Sequence, residues 1–162
     1  MQRKSSLSFR YVFWFVLLQG LLATSVFADT ADRAVANAYQ RWCSAIATAD
    51  GRANDVVKFY APNAILLPTL APEILFNRKN GGKHAYFEAL TSKKNIRCIP
   101  EKLITRVYGN MAINSGFYQF SYTDERGQTK NIPARFTFVY EKMGDRWMIV
   151  NHHSSVVPAA SH

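Results

Sequence analysis

Residues 111–157 read MAINSGFYQFSYT, then DERGQTK, then NIPARFTFVYEKMGDRWMIVNHHSSVV. In the first block Gly116, Tyr118, Phe120 and Tyr122 fall on every second position, which predicts a long strand over Met111–Thr123. The polar segment Asp124–Lys130, with Gly127 inside it, predicts a hairpin loop. Ile132–Lys142 then returns as a strand with Phe136, Phe138 and Tyr140 on one face. Gly144-Asp145 predicts a tight turn, and Arg146–Val157 a last strand that Pro158 ends. Three consecutive strands joined by short polar turns make an antiparallel meander.

Upstream, the pattern changes period. Val35, Ala38, Tyr39, Trp42, Ala45, Ile46 and Ala49 recur at helical spacing, with Thr30 as the cap, Asp32 in the first turn and Asp50-Gly51 as the stop. A short second helix is expected around Val56, Val57 and Tyr60, ended by Pro62. Ala64–Leu67 is a short strand candidate, and a third helix begins near Asn80-Gly81-Gly82 and carries Tyr86, Phe87 and Leu90. Leu103, Thr105 and Val107 predict a strand from Lys102 onward, closed by the Gly109-Asn110 turn. Helices first and strands after predict an α+β fold. A curved antiparallel sheet wrapped on the N-terminal helices makes a cone open at one end, the kind of concavity that holds small molecules.

The first residues carry a different signal. Arg3, Lys4 and Arg10 precede the apolar runs Tyr11–Leu18 and Leu21–Val26, and no acidic residue stands before Asp29. Val26-Phe27-Ala28 suits a cut after Ala28, so residues 1–28 are expected to be a signal peptide. Gln19-Gly20 interrupts the apolar run and argues against a membrane anchor. The expected organisation is a leader over 1–28, one domain over 29–158 and a frayed tail over 159–162, in a periplasmic or secreted protein with no membrane association after cleavage. The chain has a formal net charge of +9, of which Arg3, Lys4 and Arg10 leave with the leader. The remaining cations are scattered, which argues against a nucleic-acid partner and for small anionic molecules. Apolar residues make up 48% and charged residues 19%, which excludes a disordered chain. Cys43 and Cys98 are the only cysteines, and an even count in an exported chain predicts that they pair.

The stretch Pro133–Ser155, with its Gly-Asp-Arg-Trp turn and His-His-Ser-Ser ending, resembles the last two strands of the nuclear transport factor 2-like, or cystatin-like, superfamily. Within it the likeness is to bacterial relatives of the calcium/calmodulin-dependent protein kinase II association domain, of SnoaL-like type. The resemblance implies a cone-shaped fold, dimers or higher rings formed through the sheet, and a pocket between sheet and helices. It also implies that Arg135 occupies an arginine position of that pocket. Relatives of this fold include isomerases, dehydratases and cyclases as well as association modules.

Arg135 stands mid-strand between Ala134 and Phe136 in an apolar segment. Its guanidinium needs a partner, and a carboxylate satisfies it in a two-pronged contact. The alternatives are an ion pair with Glu141 or Glu101, or with a neighbouring subunit. His152 and His153 are adjacent on a strand, so they point to opposite faces and cannot chelate one metal together. Strict alternation groups His153 with Trp147, Ile149, Asn151 and Ser155, and the resemblance makes His153 the choice for the pocket. The remaining ligand-binding candidates are Asn151, Tyr118, Tyr60 and His84. No metal site and no cofactor motif is found, and the acidic residues fall at helix edges and turns, where a general base is poorly placed. The sequence therefore reads as an exported, self-associating domain with a pocket for a small carboxylate and without catalysis. The alternative is a small isomerase, dehydratase or cyclase with His153 as base.

Overall fold

The computed structural model describes residues 30–78 and 81–159. The expected leader over 1–28, Asn80 at the expected start of the third helix, and residues 160–162 of the tail lie outside the described residues. Helix α1 spans residues 30–48. A one-turn helix α2 (Asn54–Val57) leads to strand β1 (Tyr60–Leu67), then to a small ribbon of β2 (Asn77–Arg78) and β3 (Gly81–Gly82), and to helix α3 (Lys83–Thr91). Four strands complete the chain: β4 (Lys94–Tyr108), β5 (Met111–Thr123), β6 (Thr129–Met143) and β7 (Arg146–Val156). They form a five-stranded curved sheet in the order β1-β7-β6-β5-β4, with β6 central. β4 to β7 are antiparallel neighbours, and β1 adds a parallel edge beside β7. The α+β expectation is met.

The inner face of the sheet is the aromatic one. Ala134, Phe136, Phe138 and Tyr140 of β6 are buried, as are Ala112, Asn114, Tyr118 and Phe120 of β5. Helix α1 lies across them with Val35, Ala38, Tyr39, Trp42 and Ile46, the helical stripe visible in the sequence. The Tyr39 ring stacks on Phe136 at 5.1 Å and the Trp42 ring meets Phe138 edge-on at 4.9 Å. Each large side chain removed from water in this layer contributes roughly 1.5–3 kcal/mol, so the α1–sheet contact is a large contribution to stability. Cys43 on α1 and Cys98 on β4 form a disulfide, so the helix is also covalently held to the sheet's edge. Gly116 falls on the inward row of β5, and the position takes no side chain because a Cβ there would stand 1.8 Å from the Lys102 carbonyl oxygen on β4.

Three local expectations change. Tyr60 belongs to β1, not to the second helix, and Pro62 lies within that strand instead of ending a helix. β1 is an edge strand whose pairing is irregular between Tyr60 and Ile65, so no ladder bond is demanded of the missing N–H. β4 begins at Lys94, well before Lys102. Its first half is broken by register shifts between Lys94 and Arg97 and between Pro100 and Leu103, and Asn95 takes a positive φ of 56°. These bulges erase the alternation by which a strand is recognised. The third correction concerns β7. A register shift stands opposite the Val139/Tyr140 step, where Val139 pairs with Asn151 but Tyr140 with Ile149. One extra residue on β7 reverses which side chains face inward beyond it.

Candidate functional site

That bulge decides which histidine enters the cone. His152 is buried on the inner face with Ser154, and His153 is exposed on the outer face. The expectation that His153 faces the interior is therefore corrected: alternation counted from Trp147 holds only as far as the bulge.

The interior contains polar chains enclosed by rings. The Trp42 indole N–H donates to the Tyr60 hydroxyl oxygen at 3.1 Å, and that hydroxyl lies 2.7 Å from His152 Nδ1. Trp42 can only donate, so the arrangement that uses the Tyr60 hydroxyl as both acceptor and donor has Tyr60 donating its proton to Nδ1, with the His152 proton on Nε2. Burial, and secondly the neighbouring His153 charge, hold His152 well below the usual imidazole range, which keeps the ring neutral. The Tyr118 hydroxyl is 2.6 Å from Ser154 Oγ, which also meets Thr69 Oγ1. Burial pushes the Tyr118 phenol up to about 12 and raises Tyr60 far above its ordinary value, so both are neutral. Lys83, at the start of α3, is buried, donates to the Ala64 carbonyl at 2.5 Å and lies 5.6 Å from the centre of the Tyr60 ring. Desolvation lowers its pKa. His152 Nε2, the Tyr39 and Tyr140 hydroxyls and both amide atoms of Asn114 are buried and have no hydrogen-bond partner among the described residues.

The outer face carries the other expected residues. Arg135 is exposed and its Nε donates to Ser155 Oγ at 3.1 Å, across the β6–β7 ladder. With Phe136, Thr137, His153 and Ser155 it lines a shallow recess of about 270 Å³. Asn151, half-buried, stands one row further along the same face. The expectation of an arginine inside the cone is corrected, because Phe136 and Phe138 take the inward positions and Arg135 alternates with them. So the six candidates divide: Tyr60 and Tyr118 are interior, Arg135, His153 and Asn151 share the outer face, and His84 sits half-buried at the start of α3. Sequence reasoning weighed His152 beside His153 and preferred the latter; the residues it passed over are Ser154, Thr69 and Lys83. Only the bulge could have pointed to His152 and Ser154, and it leaves no sequence signature here.

Beside the outer recess the sheet carries an apolar patch. Ile104, Ile113 and Phe117 are 46%, 40% and 39% exposed. Ile104 pairs with Ser115, which lies between the other two on β5, so the three form one patch. A larger recess, about 670 Å³, lies elsewhere, between the end of α3 and the β5–β6 hairpin, and is lined by Lys93, Lys94, Tyr122, Asp124 and Arg126 among others. None of the expected site residues lines it. Among the described residues no group of three His, Cys, Asp or Glu side chains is placed to hold a metal, and no helix is long and apolar enough to cross a membrane.

The family profile of the calcium/calmodulin-dependent protein kinase II association domain matches residues 31–158. The chain belongs to this association-domain family. A Xanthomonas campestris crystal structure provisionally described as the same domain is 35% identical, with a TM-score of 0.70 over 78% of this chain and 87% of that one. The association domain of the Caenorhabditis elegans kinase is 13% identical, with a TM-score of 0.63, over 79% of this chain and 97% of that one. A Streptomyces avermitilis protein of the nuclear transport factor 2-like family, provisionally described as a dehydratase, is 15% identical with a TM-score of 0.68 over 82% of this chain and 99% of that one. The latter two likenesses concern the fold alone. No curated protein matches the chain at a significant level. The resemblance read from Pro133–Ser155 is thus confirmed for the family and for the cystatin-like fold of its association domain.

Proposed function

We propose that this protein is an exported self-association module whose subunits meet through the outer face of the sheet, with Arg135 as a carboxylate-binding group on that face. The observation that carries the reading is the exposed patch of Ile104, Ile113 and Phe117 on β4 and β5 of an association domain. Burying one such side chain contributes roughly 1.5–3 kcal/mol, and a face-to-face pair of sheets buries the patch twice. The interior supports the same reading from the other side, since His152, Tyr60 and Tyr118 are committed to each other or to Ser154 behind aromatic walls. Export is supported by the Cys43–Cys98 disulfide, which persists in oxidising compartments, and by the leader pattern of residues 1–28. Light scattering behind size exclusion tests the reading on residues 29–162. The wild type is expected as an oligomer and Ile113→Glu as a monomer; a wild type that elutes as a monomer at every concentration contradicts it.

A second reading, proton-transfer catalysis inside the cone, has one observation in its favour, the neutral His152 hydrogen-bonded to Tyr60. It requires His152 as the base in place of His153, and an opening of the interior that admits a substrate.

A further inference from the structure

On the outer face of β6 the outward positions run Arg135, Thr137, Val139, Glu141. Glu141 is the only carboxylate in the whole of β5, β6 and β7, and Arg135 the only arginine in β5 and β6. The two lie roughly 20 Å apart at the rise of a strand, beyond the reach of one another's side chains. Neither has an ion-pair partner among the described residues. Arg135 spends only Nε on Ser155, which leaves the outer edge of its guanidinium free for a two-pronged contact.

We infer that the carboxylate which Arg135 binds is Glu141 of a second copy of this chain. The inference rests on the association reading above and specifies its geometry. β6 is the central strand, so a two-fold axis between two facing sheets passes close to it. If that axis ran along β6, Arg135 would face Arg135 and Glu141 would face Glu141, two like-charge pairs in the interface. If it runs across β6, level with Phe138, the two central strands are antiparallel, and each Arg135 meets a Glu141. Only the second arrangement is complementary, and like-charge juxtaposition costs enough to exclude the first. The neighbours agree. Arg135 is flanked across the ladders by Phe117 and Ser155, and Glu141 by Met111 and Met148. The antiparallel arrangement therefore lays the exposed Phe117 ring against Met111 of the second copy, a side chain that adapts readily to an aromatic face, and Ser155 against that copy's Met148. Thr137 and Val139 pack at the axis.

The test is sedimentation velocity over a concentration series on residues 29–162, for the wild type, Arg135→Glu, Glu141→Arg and the double reversal. Each single reversal places two repulsive pairs in the dimer and is expected to weaken it by about thirtyfold or more. The double reversal restores both pairs and is expected to return the constant to within about threefold of wild type. Unchanged far-ultraviolet dichroism and melting in all four proteins separate this from misfolding. Single reversals that leave the constant unchanged, or a double reversal no tighter than either single one, overturn the pairing. If Ile113→Glu still dissociates the protein in that case, the association reading stands without it. A wild type that is monomeric throughout removes both. Tightening of the wild type by sodium malonate at constant ionic strength, lost in Arg135→Glu and kept in Glu141→Arg, overturns the pairing in favour of a small-molecule carboxylate.

Discussion

Replacing Cys43 and Cys98 together by Ala tests how α1 is held on the sheet. The helix makes no ladder bonds to the strands; its attachment includes side-chain packing, the Trp42–Tyr60 hydrogen bond and this one covalent link. The bridge spans 55 residues of sequence. The chain-entropy relation gives roughly 14 cal/mol/K for a loop of that size, or about 4 kcal/mol at 25 °C. Against a total of about 5–15 kcal/mol for an ordinary domain, this is a large share. With a urea dependence of about 1.5 kcal/mol per molar, the unfolding midpoint should fall by about 2–3 M. Trp42, buried on α1 one residue from Cys43, reports the transition by fluorescence. Protein concentration must be the same for both proteins, because self-association adds its own stabilisation. The wild type in excess dithiothreitol should behave as the double variant does. A midpoint shift under about 0.5 M would refute the reasoning, since it would mean that the packing of Tyr39, Trp42 and Ile46 alone fixes the helix.

Two further outcomes follow from single positions. Gly116→Ala places a Cβ against the Lys102 carbonyl, a clash that only backbone displacement relieves, and should cost about 3 kcal/mol or more in melting experiments, whereas Ser115→Ala nearby should be close to neutral. His152 is neutral in the folded state with its pKa held well below the ordinary value of 6.5, so between the two pKa values the unfolded chain binds the extra proton. Stability should therefore fall as pH drops below about 6.5, by at most about 1.4 kcal/mol per pH unit from this residue. Urea titrations at several pH values should show that slope in the wild type and in His153→Ala, and lose it in His152→Leu.

The sequence made the second half of the chain legible because β5 and β6 alternate cleanly, β7 does so up to its bulge, and the turns carry Gly109-Asn110 and Gly144-Asp145. The observed strands Met111–Thr123 and Arg146–Val156 lie within a residue of those expected. The stripe on α1 was equally clear, since seven apolar positions at helical spacing have no other explanation. What failed did so where a strand departs from regularity. The start of β4 is bulged, and β1 carries a proline that only an irregular edge tolerates. The candidate site was misassigned for the same reason. One inserted residue on β7, set by pairing with β6 and by no local signal, exchanges His153 for His152 in the interior. Arg135 was placed correctly relative to its neighbours, opposite Phe136 and Phe138, but its face is the outer one. A charge flanked by apolar residues on a strand looks buried in sequence; in a single-layer sheet those residues are on the other side.

The outer face as the site of assembly is tested most directly by native mass spectrometry of residues 29–162, purified without reductant, beside Ile113→Glu. The account predicts a wild type of two or more subunits, each two hydrogens lighter than its reduced form, and a variant that flies as a single subunit with the same disulfide. A wild type that is a single subunit, or an Ile113→Glu variant that keeps the full assembly, would contradict it.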